Sequence, residues 1–253
     1  MILNDEVELV EGEPIAYIRP LKALVMADLH LGYEAAMAKR GMLLPHANLK
    51  SILSSIENAS SVREVTTLIV NGDIKNDFST VGQAESNELY DFCSRANALG
   101  MGLVLIKGNH DNFIERYREA FRFEVHRQEA RIGDFLFFHG EEMPGSLGKL
   151  MVMGHEHPAI GIYDAAGRLE KLKCFLYGRY KGGNLLVLPA MNYFSSGTAV
   201  NIEPKGSLLS PLLRNAGVES MEAIALGYGS TLAFGKVREL RRIAAARHAG
   251  RRG

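Results

Sequence analysis

The stretch MVMGHEHPAI, residues 151–160, opens as an apolar run and stops at Gly154. His155 and His157 follow, two apart, with Glu156 between them and Pro158 straight after. The run reads as a buried strand. Residues i and i+2 of an extended chain share a side, so both imidazoles are expected to point one way where the strand gives out. The same arrangement recurs. LKALVMADLH (21–30), VTTLIVNGD (65–73), MGLVLIKGNHD (101–111), DFLFFHG (134–140) and KLMVMGHEH (149–157) are all short apolar runs that end in polar residues. They do not alternate with polar positions, which fits strands buried on both faces. Helix-like stretches at 34–40, 46–60 and roughly 80–99 lie between the first three, so the expected architecture is a layered α/β domain. From about residue 160 the texture shifts to turn signals and strand-like runs, which predicts antiparallel hairpins over 161–191 and a short strand at 198–201.

The bulk numbers agree with a globular chain. Of 253 residues, 47% are hydrophobic and 23% charged, an ordinary balance. No apolar run approaches the roughly 18 residues that a membrane helix needs. The acidic start MILNDEVELVEGEP has neither a basic leader nor an apolar core, so no signal peptide is expected. Cys93 and Cys174 match no metal or redox spacing, and a reducing cytoplasm is the expected compartment. Net charge is zero but uneven. Residues 236–253 hold Lys236, Arg238, Arg241, Arg242, Arg247, Arg251 and Arg252 against Glu239 alone, a net +6. The expected organisation is one domain over 1–235 followed by a basic C-terminal helix or tail over 236–253. Such a tail suits nucleic acid or simply a solvated terminal helix.

The polar clusters converge on one chemistry. In open α/β sheets, sites form beyond the carboxyl ends of strands. Asp28 and His30 end the first run and Asp73 the second. Asn109, His110 and Asp111 end the third, His139 the fourth, and His155 and His157 the fifth. Five of the eight histidines fall in these clusters. Structural zinc sites favour thiolates and calcium takes oxygens. Mixed imidazole, carboxylate and amide donors suit Mn²⁺, Fe²⁺ or Zn²⁺. Seven candidate ligands exceed what one ion needs and fit two ions about 3.5–4 Å apart, an arrangement used in phosphoester hydrolysis. One carboxylate must then bridge the pair.

In order, DLH (28–30), GD (72–73), GNHD (108–111), HG (139–140) and GHEH (154–157) resemble the calcineurin-like metallophosphoesterase superfamily. The resemblance implies an α/β/β/α sandwich with a dimetal site at strand C-terminal ends. It places Asp28, His30 and His157 on one divalent ion and Asn109, His139 and His155 on the other, with Asp73 bridging. It makes His110 a non-ligand that protonates the leaving oxygen or stabilises the transition state. A metal-activated hydroxide would attack phosphorus in line, with no covalent enzyme intermediate. Asp111 has two open readings: a carboxylate that orients the His110 ring, or the N-cap of a helix over DNFIERYREAF.

Further segments, ADLHLGYE (27–34), RGMLLP (40–45), NGDIKNDF (71–78), LPAMNYFSSGTAVN (188–201) and SPLL (210–213), are similar to a compact prokaryotic subfamily of ligase- or helicase-associated DNA phosphoesterases and endonucleases. That resemblance implies Mn²⁺ as metal, with Fe²⁺ or Zn²⁺ as alternatives, and single-stranded DNA as substrate. It also implies a DNA-repair helicase or ligase as partner, and homodimers in related nucleases. A small-molecule nucleotide phosphodiesterase or phosphatase is the alternative. The subfamily pattern expects His where Asn76 stands. Lys75 and Lys107 lie where a phosphodiester backbone could be met, or are ordinary solvated lysines. Tyr33 and Phe78 are candidates for base stacking or core packing. His46, His126 and His248 fall outside the motif.

Overall fold

In the computed structural model, residues 1–78, 82–164, 166–227 and 229–249 are described, with side chains to residue 246. Arg251 and Arg252 of the basic tail, the Arg247 and His248 side chains, and the first two residues of the 80–99 stretch lie outside the described residues.

The first half alternates strands and helices. Strands β1 (Val7–Leu9), β2 (Ala16–Ile18) and β3 (Ala23–Met26) are followed by helices α1 (Tyr33–Lys39) and α2 (Asn48–Ser61). Then come β4 (Thr67–Asn71), α3 (Gln83–Ala98), β5 (Gly102–Ile106), a short α4 (Arg118–Phe121) and β6 (Phe123–His126). These strands form one sheet in the order β1-β2-β3-β4-β5-β6, parallel from β3 onward. The second half is richer in strands: β7 (Glu129–Ile132), β8 (Phe135–Phe138), β9 (Leu150–Met153), β10 (Pro158–Tyr163), β11 (Leu169–Tyr180), β12 (Gly183–Val187) and β13 (Thr198–Ala199). They pair in the order β13-β10-β11-β12-β9-β8-β7. Past α5 (Pro211–Asn215), β14 (Glu222–Gly227) pairs with β11 and β15 (Ser230–Lys236) with β14, and α6 (Val237–Ala249) follows directly. The hairpins expected over 161–191 are β10-β11-β12.

Period-two alternation in fully buried strands sorts the apolar residues into three cores. Leu24 and Met26 of β3 face α2 and α3, together with Ile52, Leu89 and Phe92. Ala23 and Val25 face the second sheet and meet Phe135, Phe137 and Val152. Leu136, Phe138, Met151 and Met153 face away, towards α5 and Val237 at the start of α6. The layers therefore run α/β/β/α, as expected. Among the described residues no helix is long and apolar enough to cross a membrane.

The parallel strands β3, β4 and β5 end on the same rim as β8 and β9, and the rim is stitched across the sheets. The Asn71 amide at the end of β4 donates to Phe138 O and Val152 O, each at 3.0 Å. Ala27 bridges Ala190 of the segment after β12. Met191 N and Asn192 N donate to Ala27 O and Asp28 O at 2.9 and 3.0 Å.

One expected element differs. The segment DNFIERYREAF does not form a helix from Asp111. Phe113 is left-handed at φ 65°, which breaks the helix before it starts. A 3-10 turn over Ile114–Tyr117 and the four residues of α4 replace it.

Phe137 is fully buried between the sheets, so Phe137→Ala is expected to cost about 3–5 kcal/mol of stability in urea unfolding. Cys93 and Cys174 are free and buried, and burial pushes the Cys93 thiol up to about 12. Neither thiol should react with a disulfide reagent at pH 8 in the folded protein, and both should react once urea unfolds it.

Candidate metal centre

Five loops on that rim bring the predicted residues together. The loop after β3 supplies Asp28 and His30, and the loop after β4 supplies Asp73. His110 follows β5, His139 follows β8, and His155 and His157 follow β9. Ligand atoms of Asp28, His30 and His157 lie within 4.8 Å of one another, as do those of Asp73, His139 and His155. A third group of the same tightness joins His30, Asp73 and His110. Asp73 thus belongs to two neighbouring groups. Asn109 contributes a buried amide oxygen without a hydrogen-bond partner, and His30 Nδ1 and His139 Nε2 are likewise buried without one. His139 Nε2 lies 3.3 Å from Asp73 Oδ2 but makes no aligned hydrogen bond to it. Buried polar atoms left this way need a partner, and these point inward as a mixed nitrogen and oxygen donor set that fits divalent cations.

Neighbouring groups select which imidazole nitrogen faces the centre. His139 Nδ1 is 3.0 Å from Asn71 O. A carbonyl only accepts, so Nδ1 donates and Nε2 is left as the ligand atom. His157 Nδ1 is 3.1 Å from Ser195 Oγ, leaving Nε2 at 3.3 Å from Asp28 Oδ1. The sequence reading missed Asn71 and Ser195. Their only trace is an asparagine just before GD and a serine pair in NYFSSG.

The backbone corrects one expectation. The residues do not alternate along extended chain. Asp28, His30, Asp73, His155 and His157 have φ of 58°, 47°, 54°, 65° and 49°. They are five of the nine described non-glycine residues with positive φ. Each such residue costs about 1–3 kcal/mol and persists only where its surroundings hold it. Here Asp28 N donates to Gly72 O and His30 N to Asp73 O, both at 3.0 Å. His155 N reaches the Asp28 carboxylate at 3.1 and 3.2 Å, and Thr198 N reaches His157 O at 2.8 Å.

Charge is distributed unevenly. Burial opposes the charge of Asp73, yet His139, His30 and His110 hold it well below the usual carboxylate range. Burial likewise opposes Asp28, and His157 and His139 lower it. Burial opposes a charged His139, but Asp73 and Asp28 hold its pKa up at about 10. His157 is also raised, against its burial, by Asp28. Burial pushes His30 and His155 down to about 4. Two carboxylates stay ionised and two imidazoles stay neutral, the states that bind cations.

Asp111 takes neither of its expected roles. Its carboxylate accepts Asp73 N at 2.8 Å, Lys75 N at 3.2 Å and Gly108 N at 2.9 Å. The His110 ring is held instead by Asn76 O, 2.6 Å from Nδ1. That contact uses the backbone of Asn76 and does not depend on which side chain stands there. Lys75 is fully buried and its ammonium donates to Asp77 O, which corrects both the backbone-contact and the solvated readings. Lys107 pairs with Glu115 at 2.8 Å. Tyr33 stacks on Phe194 with centroids 5.7 Å apart. Phe78 is 55% exposed and so is not a core residue.

A family model of calcineurin-like phosphoesterases matches residues 21–179, more than half the chain. The chain belongs to that family. Calcineurin-like phosphoesterases typically bind two divalent metal ions, and the clustered donors here are candidate ligands for them. No curated protein matches the sequence. Among solved structures, the nuclease MPE of Pseudomonas putida is similar with a TM-score of 0.63 at 19% identity, over 89% of this chain and 94% of that one. Yfce, a phosphoesterase from E. coli, gives a TM-score of 0.41 at 15% identity, over 83% and 96%. The first likeness is one of fold and agrees with the four layers.

The motif glycines leave no room for a side chain. A Cβ on Gly108 would meet Asp73 Oδ1 at 2.2 Å, and one on Gly72 (φ 90°) would meet His139 Nδ1 at 2.0 Å. Gly108→Ala is therefore expected to retain fewer Mn²⁺ ions per chain than wild type after equilibrium dialysis. Gly206→Ala, whose Cβ would meet nothing within 4 Å, should match wild type in the same metal analysis.

Proposed function

We propose that this phosphoesterase hydrolyses phosphodiester bonds of nucleic acid, with single-stranded DNA as substrate. The observation that carries the reading is His110. Its Nδ1 is committed to Asn76 O, and its Nε2 stands 3.9 Å from Asp73 Oδ2, on the edge of a cluster in which every motif ligand position is filled. In this reading Asp28, His30 and His157 hold one ion, Asn109, His139 and His155 hold the second, and Asp73 is shared. The tight groups around Asp28 and around Asp73 support that division. The donor set suits Mn²⁺, with Fe²⁺ or Zn²⁺ compatible.

When bound, two divalent cations neutralise charge on the non-bridging phosphoryl oxygens and activate a water as nucleophile. The chain's own residues do the rest. Asp73 is fixed by the His110 amide, 2.9 Å from Oδ1, so the carboxylate and the imidazole move as one unit. His110 exchanges protons through Nε2 alone, because Nδ1–H is held by a carbonyl. Nε2 therefore donates to the leaving oxygen as the P–O bond breaks. Asp111 is a positioning residue that ties the Asp73 loop to the Gly108 loop.

The fold shared with a protein described as a nuclease supports the nucleic-acid substrate. So does the openness of the centre: the His110 and His157 side chains are 19% and 21% exposed. A long substrate can lie across such a centre without being enclosed. The second reading, a small nucleotide diester or monoester, requires only the same metal centre.

Hydrolysis of bis-p-nitrophenyl phosphate, p-nitrophenyl phosphate and labelled single-stranded DNA with Mn²⁺ tests the choice. The diester and the DNA should be cleaved, EDTA should abolish both reactions, and His110→Ala should lower kcat about 10²–10⁴-fold with metal content unchanged. Turnover of the small esters with DNA left intact would sink the nuclease reading and favour the small nucleotide. His110→Ala at wild-type rate would remove the acid assignment.

A further inference from the structure

Large aromatic side chains usually bury their rings. Among the described residues four are substantially exposed: Phe78, Tyr90, Phe113 and Tyr193. Tyr90 sits on α3 and packs edge-on against Phe121. Phe78 and Tyr193 adjoin residues of the metal centre. Phe113 lies two residues beyond Asp111, with the Arg116 guanidinium 4.8 Å over its ring.

Phe78 and Tyr193 are held from behind and bare in front. The Phe78 ring packs on His110 with centroids 3.7 Å apart and planes 32° from parallel, and Asn112 Nδ2 donates to Phe78 O at 3.1 Å. Phe78 nevertheless stays 55% exposed. Tyr193 lies between Asn192, whose backbone amide donates to Asp28 O, and Ser195, whose hydroxyl meets His157 Nδ1. Its own amide donates to Asn48 Oδ1 at 2.9 Å, and the Asn48 Nδ2 donates to Leu29 O at 2.9 Å. Its ring meets Phe194 edge-on at 5.1 Å, and Phe194 is itself stacked on Tyr33. Tyr193 is 58% exposed.

We propose that Phe78 and Tyr193 are stacking platforms for unpaired nucleobases on either side of the scissile phosphate, with Phe78 receiving the base of the leaving nucleoside. The proposal rests on the nucleic-acid reading of the centre and adds its selectivity. His110 gives its proton to the leaving oxygen, and Phe78 lies against the His110 ring. Whatever stacks on the open part of Phe78 is therefore attached on the leaving side. Tyr193 adjoins the Asp28 and His157 side and takes the base across the phosphate. Every base has a flat face, so stacking tolerates sequence. Bases in a duplex already have both faces covered, so the platforms select single strands.

Base–aromatic stacking contributes about 1–3 kcal/mol per base, equivalent to a change in kcat/KM of about 5–150-fold. The test uses the full-length chain with Mn²⁺ and three substrates. These are single-stranded oligothymidylate, a strand of the same length built wholly from abasic tetrahydrofuran phosphates, and bis-p-nitrophenyl phosphate. Phe78→Ala should lower kcat/KM on oligothymidylate within that range and leave the rate on the abasic strand at the wild-type level. Phe78→Trp should restore it, and pairing the oligothymidylate with oligodeoxyadenylate should slow the wild type at least as much as the alanine does. Equal loss on both strands would show that Phe78 merely supports His110, and would overturn the platform. Wild-type rates in Phe78→Ala on oligothymidylate would overturn it too, with the nuclease reading intact. DNA left whole by a wild type that turns over bis-p-nitrophenyl phosphate would instead overturn the nuclease reading, and the platform with it.

Discussion

The site depends on two carboxylates buried next to each other, Asp73 and Asp111. Asp111 is fully buried and gives both oxygens to backbone amides of two loops, at Asp73, Lys75 and Gly108. That arrangement fixes the loop after β4 to the loop after β5. It does so at an electrostatic cost: burial, and then the neighbouring Asp73 charge, push Asp111 up to about 7. Asp73 in turn accepts the His110 amide. One chain of hydrogen bonds therefore runs from Lys75 through Asp111 and Asp73 to His110. Moving any member moves the Asp73 carboxylate. A group buried in low dielectric holds its position more strictly than an exposed one, because an unpaired alternative is costly.

The second constraint is the seam between the sheets. Side chains of the inner core fix the spacing of the two sheets, but only the rim brings the Asp28 loop of the first sheet against the His155 loop of the second. Asn71 reaches two strand ends of the opposite sheet while its carbonyl orients His139. The left-handed residues lie on this seam. Their strain is offset by hydrogen bonds that cross between loops. Cations that bind the folded state alone add to its stability.

Much of this was legible in the residues. Unbroken apolar runs such as LMVM and FLFF announced strands buried on both faces, and the polar stops announced the rim. The blocks DLH, GD, GNHD, HG and GHEH contain every aspartate and histidine that the structure brings into the tight groups. Backbone conformation was not legible, because positive φ at Asp28 or His157 arises from contacts between loops far apart in sequence. A period-two reading of D-x-H and H-x-H therefore reached the right neighbours by the wrong geometry. The role of Asp111 was hidden for a related reason. DNFIERYREAF carries helix-forming composition, and tertiary bonds from the carboxylate to Asp73 and Lys75 overrode it. The choice between stacking and core packing at Phe78 was not legible, because an aromatic residue beside a motif is usually buried. Its exposure depends on how the loop after β4 leaves the rim.

The four inward-facing histidines do not share one electrostatic state, and the difference follows from depth and partner. His139 and His157 each face an aspartate that raises the imidazole pKa against burial, for His139 to about 10. His30 and His155 are pushed down by burial, with weaker compensation, and remain neutral. Each tight donor group thus combines an ionised aspartate, one neutral imidazole and one imidazole whose pKa that aspartate raises. Divalent cations held by these donors would supply the positive charge that the raised imidazoles otherwise offer the two carboxylates.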